Sequence, residues 1–181
     1  MRQIKLGMVG GGQGAFIGSV HRIAARLDDH YKLIAGVLSS TPETSKTSAS
    51  EIGIEEGRSY SSYNEMAEKE SSRQDGIEAV SVVTPNYLHF PIAESFLSKG
   101  IHVICDKPLT HNLEDAERFV KAIKDSNALF ALTHNYTGYP MVRQARELCR
   151  SGEIGQVRVI QIEYPQDWLT TPLENASGTP G

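Results

Sequence analysis

A glycine-rich turn near the start of the chain constrains the fold more than any other stretch. An apolar run over residues 5–9 meets the glycine-rich run 10–14, and a helical pattern begins directly after it. Read as strand, turn and helix, the segment fits Gly10-x-Gly12-x-x-Ala15, a variant of the dinucleotide-binding fingerprint. The alternative is an ordinary tight turn between a strand and a helix, since glycine-rich turns are common.

Each small residue of the turn has its own role in the fingerprint interpretation. Gly10 permits the tight turn, Gly12 lets the backbone approach a pyrophosphate, and Ala15 lets the helix pack closely on the strand. The helix N-terminus then offers free N–H groups and a positive dipole end to phosphate. The predicted cofactor contacts in this region come from the turn and the start of the helix: Gly10, Gly12, Gln13, Ala15, Phe16 and Ile17.

Composition limits the kinds of partner that we expect. The 181 residues are 39% hydrophobic and 22% charged, and the net charge of −4 comes without a basic stripe, which argues against nucleic acid. No apolar run approaches the roughly 20 residues that cross a membrane. The chain enters a strand at once without a signal-peptide pattern, and Cys105 and Cys149 form no CxxC or Cys/His cluster. We therefore expect a cytoplasmic protein without a metal site.

Strands and helices alternate along the first 150 residues. Strands are expected at residues 4–9, 31–38, 58–60, 77–83, 101–105 and 129–133, with amphipathic helices between them. Strands that are apolar throughout, each followed by a helix, indicate a parallel sheet covered on both faces. The predicted fold class is α/β, a doubly wound parallel sheet of the Rossmann type over residues 1–150.

The pattern changes after Gly155. Residues 156–164 alternate polar and apolar side chains, which is typical of a strand with one face in water. We interpret residues 151–181 as the beginning of an α+β second domain, and we expect the chain to be a truncated part of a longer protein. The strand at 156–164 would otherwise present an unpaired edge, unless it pairs in trans with a second copy.

Several segments in one order carry a family likeness. They are the glycine turn, Thr84-Pro85-Asn86 with His89, the run 102–109 that contains Asp106-Lys107-Pro108, and the run 151–155. Together they resemble the Gfo/Idh/MocA family, the glucose-fructose oxidoreductase and inositol dehydrogenase-like enzymes, over about residues 3–165. Asp106 stands where that family usually has glutamate.

The resemblance implies an NAD(P)-dependent oxidoreductase that acts on a secondary alcohol of a sugar, inositol or related polyol. Lys107 would be the catalytic residue at the substrate hydroxyl, and Asp106 and Lys107 would also line the cofactor. The other residues that would line the cofactor are Thr84, Pro85, Asn86, His89 and Asn135. These positions follow predicted strand ends, where an open α/β sheet binds its ligand, and a lysine there can stabilise developing alkoxide charge.

The resemblance also implies features of a second domain. Family members commonly assemble through the sheet of that domain, so we expect a homo-oligomer. A catalytic histidine with an aspartate four residues before it is implied as well, and no Asp-x-x-x-His follows Trp168. We therefore expect cofactor binding without efficient turnover by this chain alone. The alternative is a non-catalytic NAD(P)-binding module or sensor that acts through association.

The choice between NAD and NADP depends on the end of the second strand. NAD-specific folds usually carry an acid there, about 20 residues past the glycines, to hold the ribose hydroxyls. This chain has Ser39-Ser40-Thr41 instead. Ser39 and Ser40 can bond a 2′-phosphate and Lys46 can neutralise it, which favours NADP(H) slightly over NAD(H).

Two side chains near these motifs have simpler interpretations. His21 lies on the helix after the glycine turn and is expected to pack there or face solvent, rather than to serve the cofactor. Cys105 has no evident activating base, so a buried, inert thiol is expected.

Overall fold

A computed structural model of the chain describes residues 2–165 and residue 170. The chain divides into two compact units, residues 1–133 and residues 134–181, and each is described by itself. The domain boundary near residue 150 that the sequence suggests stays a prediction.

The first unit alternates strands with helices. Its elements in chain order are β1 (Ile4–Gly10), α1 (Phe16–Leu27), β2 (Tyr31–Val37), α2 (Pro42–Glu51), α3 (Tyr63–Ser71), β3 (Ala79–Val83), α4 (His89–Leu97), β4 (His102–Asp106), α5 (Leu113–Asp125) and β5 (Phe130–Thr133). Each of these strands was predicted, with ends that differ by two residues or fewer. Short 3₁₀ turns at Glu56–Arg58 and Asn86–Leu88 complete the unit.

All pairings in the sheet are parallel. The five strands lie in the order β2-β1-β3-β4-β5, which confirms the predicted α/β fold with a doubly wound parallel sheet. The carboxyl ends of β1, β3 and β4 are therefore neighbours along one edge. That edge is where open α/β sheets bind ligands.

The predicted strand at residues 58–60 is wrong. The chain turns through the 3₁₀ helix Glu56–Arg58, and only Ser59 pairs with β2, through an isolated parallel bridge to Gly36. The Tyr60 N–H also donates to the Gly36 carbonyl oxygen at 2.9 Å. Too few residues remain beside β2 to build a ladder, although the bridge keeps the position of the outer strand in the dinucleotide-binding fold.

Side chains from adjacent strand positions pack on opposite faces of the sheet. Val9 and Val82 belong to the larger core cluster, with Phe90 and Phe96 of α4. Met8 and Val83 belong to a smaller cluster together with Leu38 and Ala49. Successive strand residues point to opposite faces, so helices cover both faces of the sheet.

Two helices of this unit begin at residues whose side chains cap them. The Ser62 hydroxyl accepts from the Glu65 N–H at 3.1 Å at the start of α3, and the Asn112 carboxamide accepts from the Asp115 N–H at 2.8 Å at the start of α5. At the start of α3 the Glu65 carboxylate also accepts from the Ser61 N–H, one residue before the N-cap. These local bonds satisfy donors that the first helical turn leaves unpaired.

The second unit contains a 3₁₀ helix at Asn135–Gly138 and α6 at Pro140–Ser151. Gly152 ends α6 with φ 78°, a left-handed conformation that glycine adopts without strain. Residues 156–164 form no strand, because no described residue pairs with their backbone in a ladder, and side chains such as Ile160 and Ile162 are exposed. Among the described residues, no helix combines the length and apolarity needed to cross a membrane.

Candidate active site

The glycine turn lies at the carboxyl end of β1 and requires glycine at several positions. Gly10 has φ 84°, and a Cβ on it would lie 2.5 Å from the Val83 carbonyl oxygen. A Cβ on Gly18 would lie 2.3 Å from the Gly11 Cα, so these two glycines make the close strand–helix contact. The prediction that Ala15 makes this contact is wrong. Ala15 is the exposed N-cap of α1, because the helix meets the strand one turn later.

Two N–H groups of the turn tie it to neighbouring elements. The Gly12 N–H donates to the Leu38 carbonyl oxygen at 3.0 Å, and the Gln13 N–H donates to the Ser48 hydroxyl at 3.1 Å. A Cβ on Gly12 would lie 2.5 Å from the same Leu38 oxygen. Gly12 is therefore required for packing against the end of β2, in addition to any role toward a phosphate.

The first turn of α1 provides the donors that remain for an anion. Its N-cap, Ala15, has no side chain that can accept from the helix, and no acidic residue lies in the first turn. The N–H groups of Phe16 and Ile17 have no carbonyl within the helix to bond. A Cβ on Gly14 would meet nothing within 4 Å, so the approach is open. Donors and dipole together fit a pyrophosphate.

A cavity of about 180 Å³ lies between this turn, the end of β2 and α2. Arg22 lies in its wall and donates from Nη1 to the Gly11 carbonyl oxygen at 2.6 Å. Burial and the charge of Arg26 lower the pKa of Arg22, which nevertheless remains a cation. The residues that line the cavity are Gly11, Gly12, Gln13, Gly14, Ala15, Arg22, Leu38, Ser48, Glu51 and Ile52.

Arg22, Ser48 and Glu51 line this cavity with polar side chains and were not among the residues predicted from the sequence. Gln13 Nε2 donates to Glu51 Oε1 at 2.6 Å, across 38 positions of the chain. Nothing in the local pattern distinguishes Glu51 from the other acids of its segment. Only the packing of α2 against the glycine turn brings it to the cavity.

The predicted 2′-phosphate ligands have other neighbours. The Ser39 hydroxyl accepts from the Thr41 N–H at 3.2 Å, and Ser40 is exposed. Lys46 Nζ lies 2.5 Å from Glu56 Oε1 in an exposed pair, and this bond raises the pKa of Lys46 and lowers that of Glu56. None of the three predicted residues lines the cavity.

The loop after β3 begins with Thr84, whose side-chain hydroxyl is buried. Among the described residues its Oγ1 has no hydrogen-bond partner. Buried hydroxyls are nearly always bonded, so an unpaired one at this edge fits a ligand group that completes it. Pro85 and Asn86 follow it and are exposed.

His89 joins the loops that follow β3 and β4. Its side chain is buried, with Nε2 2.9 Å from the Thr84 carbonyl oxygen and Nδ1 2.7 Å from the Pro108 carbonyl oxygen. A neutral imidazole donates from one nitrogen only, so both carbonyls are satisfied together only by the doubly protonated ring. Both ring nitrogens face the backbone, and a direct contact of His89 with a cofactor stays a prediction.

Asp106 ends β4 and is held by two side chains. The Thr133 hydroxyl donates to Asp106 Oδ1 at 2.8 Å, and His21 Nε2 lies 3.6 Å from the same oxygen. The other ring nitrogen of His21 lies 2.8 Å from the Ser81 hydroxyl. His21 packs from α1 as expected, and the sequence did not reveal that it reaches the acid of the predicted catalytic segment.

Asp106 is the ionised carboxylate of this edge. Burial acts to raise its pKa, but hydrogen bonds from His21, from Thr133 and from the Lys107 N–H outweigh burial, and the pKa is lowered. Lys107 follows directly, is exposed and forms no ion pair among the described residues. The Lys107–Pro108 peptide is cis. The edge thus presents an anion fixed by its partners beside a lysine that is open to solvent.

Cys105 lies on the strand directly before this acid. Burial and the neighbouring Asp106 charge raise the pKa of its thiol to about 12. A thiol with so little thiolate at neutral pH is a poor nucleophile. The expectation of a buried, inert thiol is confirmed.

Asn135 and its neighbouring tyrosines belong to the second unit. Asn135 is exposed at the start of the 3₁₀ helix. The rings of Tyr136 and Tyr139 meet edge to face at 5.4 Å, and the Tyr136 hydroxyl lies 2.9 Å from that of Tyr164. The place of Asn135 beside a nicotinamide stays a prediction.

Comparison with known proteins defines the class that this fold and edge represent. The profile of the Gfo/Idh/MocA oxidoreductase family, with an NAD-binding Rossmann fold, matches residues 4–134. The chain belongs to this family, as its motifs indicated. Its proteins are NAD(P)-binding oxidoreductases.

Individual relatives extend well beyond the length of this chain. A levoglucosan dehydrogenase of Pseudarthrobacter phenanthrenivorans is 30% identical over 95% of this chain and 43% of its own length. An oxidoreductase structure from Sinorhizobium meliloti has 62% identity and a TM-score of 0.89, over 94% of this chain and 47% of that one. An inositol dehydrogenase homologue from Azotobacter vinelandii, complexed with NADH and myo-inositol, has 38% identity and a TM-score of 0.83, over 87% and 41%. The chain spans less than half the length of each.

Proposed function

We propose that this chain is the cofactor-binding part of an NAD(P)(H)-dependent oxidoreductase that acts on a secondary alcohol or ketone of a sugar, inositol or related polyol. One observation carries the proposal. The solvent-exposed Lys107 follows the ionised Asp106 at the end of β4. His89 connects the loop that contains Lys107 and Pro108 to the loop that begins at Thr84, at the same sheet edge as the glycine turn.

Residues from the glycine turn to the loop after β3 offer groups that would bind successive parts of a dinucleotide. The free N–H groups of Phe16 and Ile17 would receive the pyrophosphate. The unpaired Thr84 hydroxyl would take a polar group nearer the nicotinamide. Both NAD(H) and NADP(H) lie within this proposal, and Ser39 and Ser40 offer hydroxyls that suit either ribose.

Lys107 would act as the catalytic residue at the substrate hydroxyl. The bound nicotinamide supplies the site that accepts or donates hydride. The Lys107 ammonium would stabilise the developing alkoxide of the substrate and, in the direction of ketone reduction, donate the proton that completes the alcohol. Asp106 would hold that segment of chain in place through its hydrogen bond from Thr133 and its contact with His21.

The substrate class rests on what similar proteins are described as binding or oxidising. One relative is a levoglucosan dehydrogenase, and one homologous structure contains myo-inositol. Both compounds are cyclic and carry several secondary hydroxyls. The family resemblance implies that efficient turnover uses a catalytic His–Asp pair. No such pair follows Trp168 in this sequence, so we expect this chain alone to bind cofactor and to turn over substrate slowly.

Calorimetric titration of the 181-residue chain tests the binding step. We expect NADH to bind with a dissociation constant on the order of 1–100 μM. The Lys107→Met variant should keep this affinity within about twofold, because the proposal assigns the charge of Lys107 to the substrate hydroxyl and the methionine side chain can still pack beside the cofactor. Lys99→Met is the matched control, since Lys99 is a surface lysine that follows the end of α4 and pairs with Glu68 of α3.

Oxidation of a panel of cyclic polyols, followed as NADH absorbance, tests the catalytic step. Lys107→Met should lower the rate about 100-fold or more, and Lys99→Met should leave it unchanged. No binding of NADH or NADPH at millimolar concentration contradicts the proposal. Binding without any turnover by the wild-type chain, together with loss of NADH affinity in Lys107→Met, favours a non-catalytic binding module instead.

A further inference from the structure

The cavity beside the glycine turn carries a fixed acid. Glu51 is the last residue of α2, and its Oε1 accepts from Gln13 Nε2 at 2.6 Å. The same residue Gln13 is tied through its backbone N–H to the Ser48 hydroxyl. Two contacts from one helix therefore hold the tip of the turn, and one of them fixes a carboxylate in the wall of the cavity.

The cavity lies where an adenosine ribose is expected. It reaches from Gly12 to Leu38, the residue that directly follows β2. Dinucleotide folds place the ribose of the adenosine at the end of the second strand and the pyrophosphate at the first helix. NAD-selective members place an acid at that end, and this chain has Ser39 and Ser40 there instead. Glu51 brings an acid to the same region from a different element.

We propose that Glu51 selects NAD(H) over NADP(H) in this chain. The proposal rests on the proposed function, in that the chain must bind a nicotinamide dinucleotide. The Glu51 carboxylate accepts a hydrogen bond from a ribose hydroxyl, and its charge opposes a 2′-phosphate, which carries about −2 at neutral pH. Specificity then comes from a repulsive element against the wrong ligand as well as from contacts with the right one.

The cations near the cavity have other partners. Arg22 lines the same cavity as Glu51, but its Nη1 donates to the Gly11 carbonyl oxygen at 2.6 Å. Lys46, the predicted partner of a 2′-phosphate, pairs with Glu56 and does not line the cavity. A 2′-phosphate would therefore meet the Glu51 carboxylate while Arg22 and Lys46 hold other partners, so this inference favours NAD(H), whereas the sequence pattern favours NADP(H) slightly.

Titrations with NADH and NADPH, followed by nicotinamide fluorescence at low ionic strength, test the selection. We expect the wild-type chain to bind NADH at least about tenfold more tightly than NADPH. Glu51→Gln should reduce that ratio at least about fivefold, mainly by tighter NADPH binding, because the amide keeps the hydrogen bond to Gln13 without the charge. Glu55→Gln makes the same charge change four residues later, outside the cavity lining, and should leave the ratio unchanged.

The measured affinities for NADH and NADPH distinguish failure of the Glu51 selection from failure of the proposed cofactor binding. If NADH binds and the wild-type chain shows equal affinity for NADPH, or if Glu51→Gln and Glu55→Gln change the ratio equally, the selection by Glu51 is refuted while the dinucleotide site stands. If neither dinucleotide binds to a chain that still shows a cooperative thermal transition, the proposed function fails and the inference falls with it. The thermal transition of each variant confirms that it is folded.

Discussion

Glu70 and Asp106 are two carboxylates with similar partners and different surroundings. Glu70 is fully enclosed and accepts from Arg58 through both oxygens, from the Tyr60 hydroxyl at 2.6 Å and from the Ile77 N–H at 3.0 Å. Asp106 is likewise contacted by a nitrogen-bearing side chain, His21, and by a hydroxyl, that of Thr133. Its side chain, however, is still 14% exposed at the sheet edge.

Solvent access distinguishes a structural carboxylate, such as Glu70, from one at a ligand-binding edge of the sheet, such as Asp106. Each oxygen of Glu70 accepts two hydrogen bonds from groups of the protein. The network therefore stabilises the fold around α3 and leaves no acceptor for a ligand. Asp106 keeps access to solvent and is followed by the open Lys107. We therefore expect changes at Glu70 to alter stability, and changes at Asp106 to alter chemistry more than stability.

The largest effect on stability is expected from Glu70→Gln. The substitution leaves the buried Arg58 guanidinium with only the exposed Asp75 as an acidic partner. Stranding a buried charge in this way costs about 3 kcal/mol or more. Urea unfolding followed by circular dichroism measures the loss, and cofactor affinity extrapolated to the folded fraction should not change.

Glu68→Gln serves as the matched control on the same helix. Glu68 pairs with Lys99 at the surface, where the pair is screened by water and salt. Its substitution should leave the urea midpoint within experimental error. Equal losses for Glu68→Gln and Glu70→Gln would show that enclosure does not separate the two kinds of carboxylate.

Asp106→Asn is expected to have an intermediate effect on stability, about 1 kcal/mol, because the amide oxygen still accepts from Thr133. Since the native pKa of Asp106 is lowered, its ionised bonds stabilise the protein above the unfolded pKa and are lost as the pH falls through the native pKa. The difference between wild type and variant should therefore shrink below about pH 4. Unfolding free energies measured from pH 7 to pH 3 check this.

Turnover decides whether Asp106 is the working carboxylate of the pair. Polyol oxidation should fall about tenfold or more in Asp106→Asn, well beyond what 1 kcal/mol of stability explains. If Asp106→Asn instead loses as much stability as Glu70→Gln and its folded fraction keeps full activity, Asp106 is a structural carboxylate like Glu70.

Tyr60→Phe is expected to have the smallest effect, about 0.5–1 kcal/mol at neutral pH, since it removes one of several donors to Glu70. Burial and the Glu70 charge raise the pKa of Tyr60 to about 12. The neutral hydroxyl therefore stabilises the native state fully below about pH 10, and this contribution is lost as the pH rises toward 12. The alkaline decline in stability should be less steep in the variant, and identical pH profiles would contradict the raised pKa.

Local patterns predicted most of the fold because they report on local forces. The order of the five strands in the sequence and the caps at Ser62 and Asn112 follow from periodicity and capping chemistry. The predicted strands at residues 58–60 and 156–164 failed for a common reason. A strand exists only when a neighbour pairs with it, and local alternation does not supply that neighbour.

The sequence by itself determined the alternation of strands and helices, the family motifs and the positions of Lys107 and Asp106 at a strand end. Only the tertiary structure placed Gly18 rather than Ala15 against the strand, brought His21 to Asp106 and set Glu51 against Gln13 across 38 positions. The physical reason is that periodicity and capping act over a few residues. The electrostatics of the site depend on side chains that meet only when helices from separate segments pack on the same sheet.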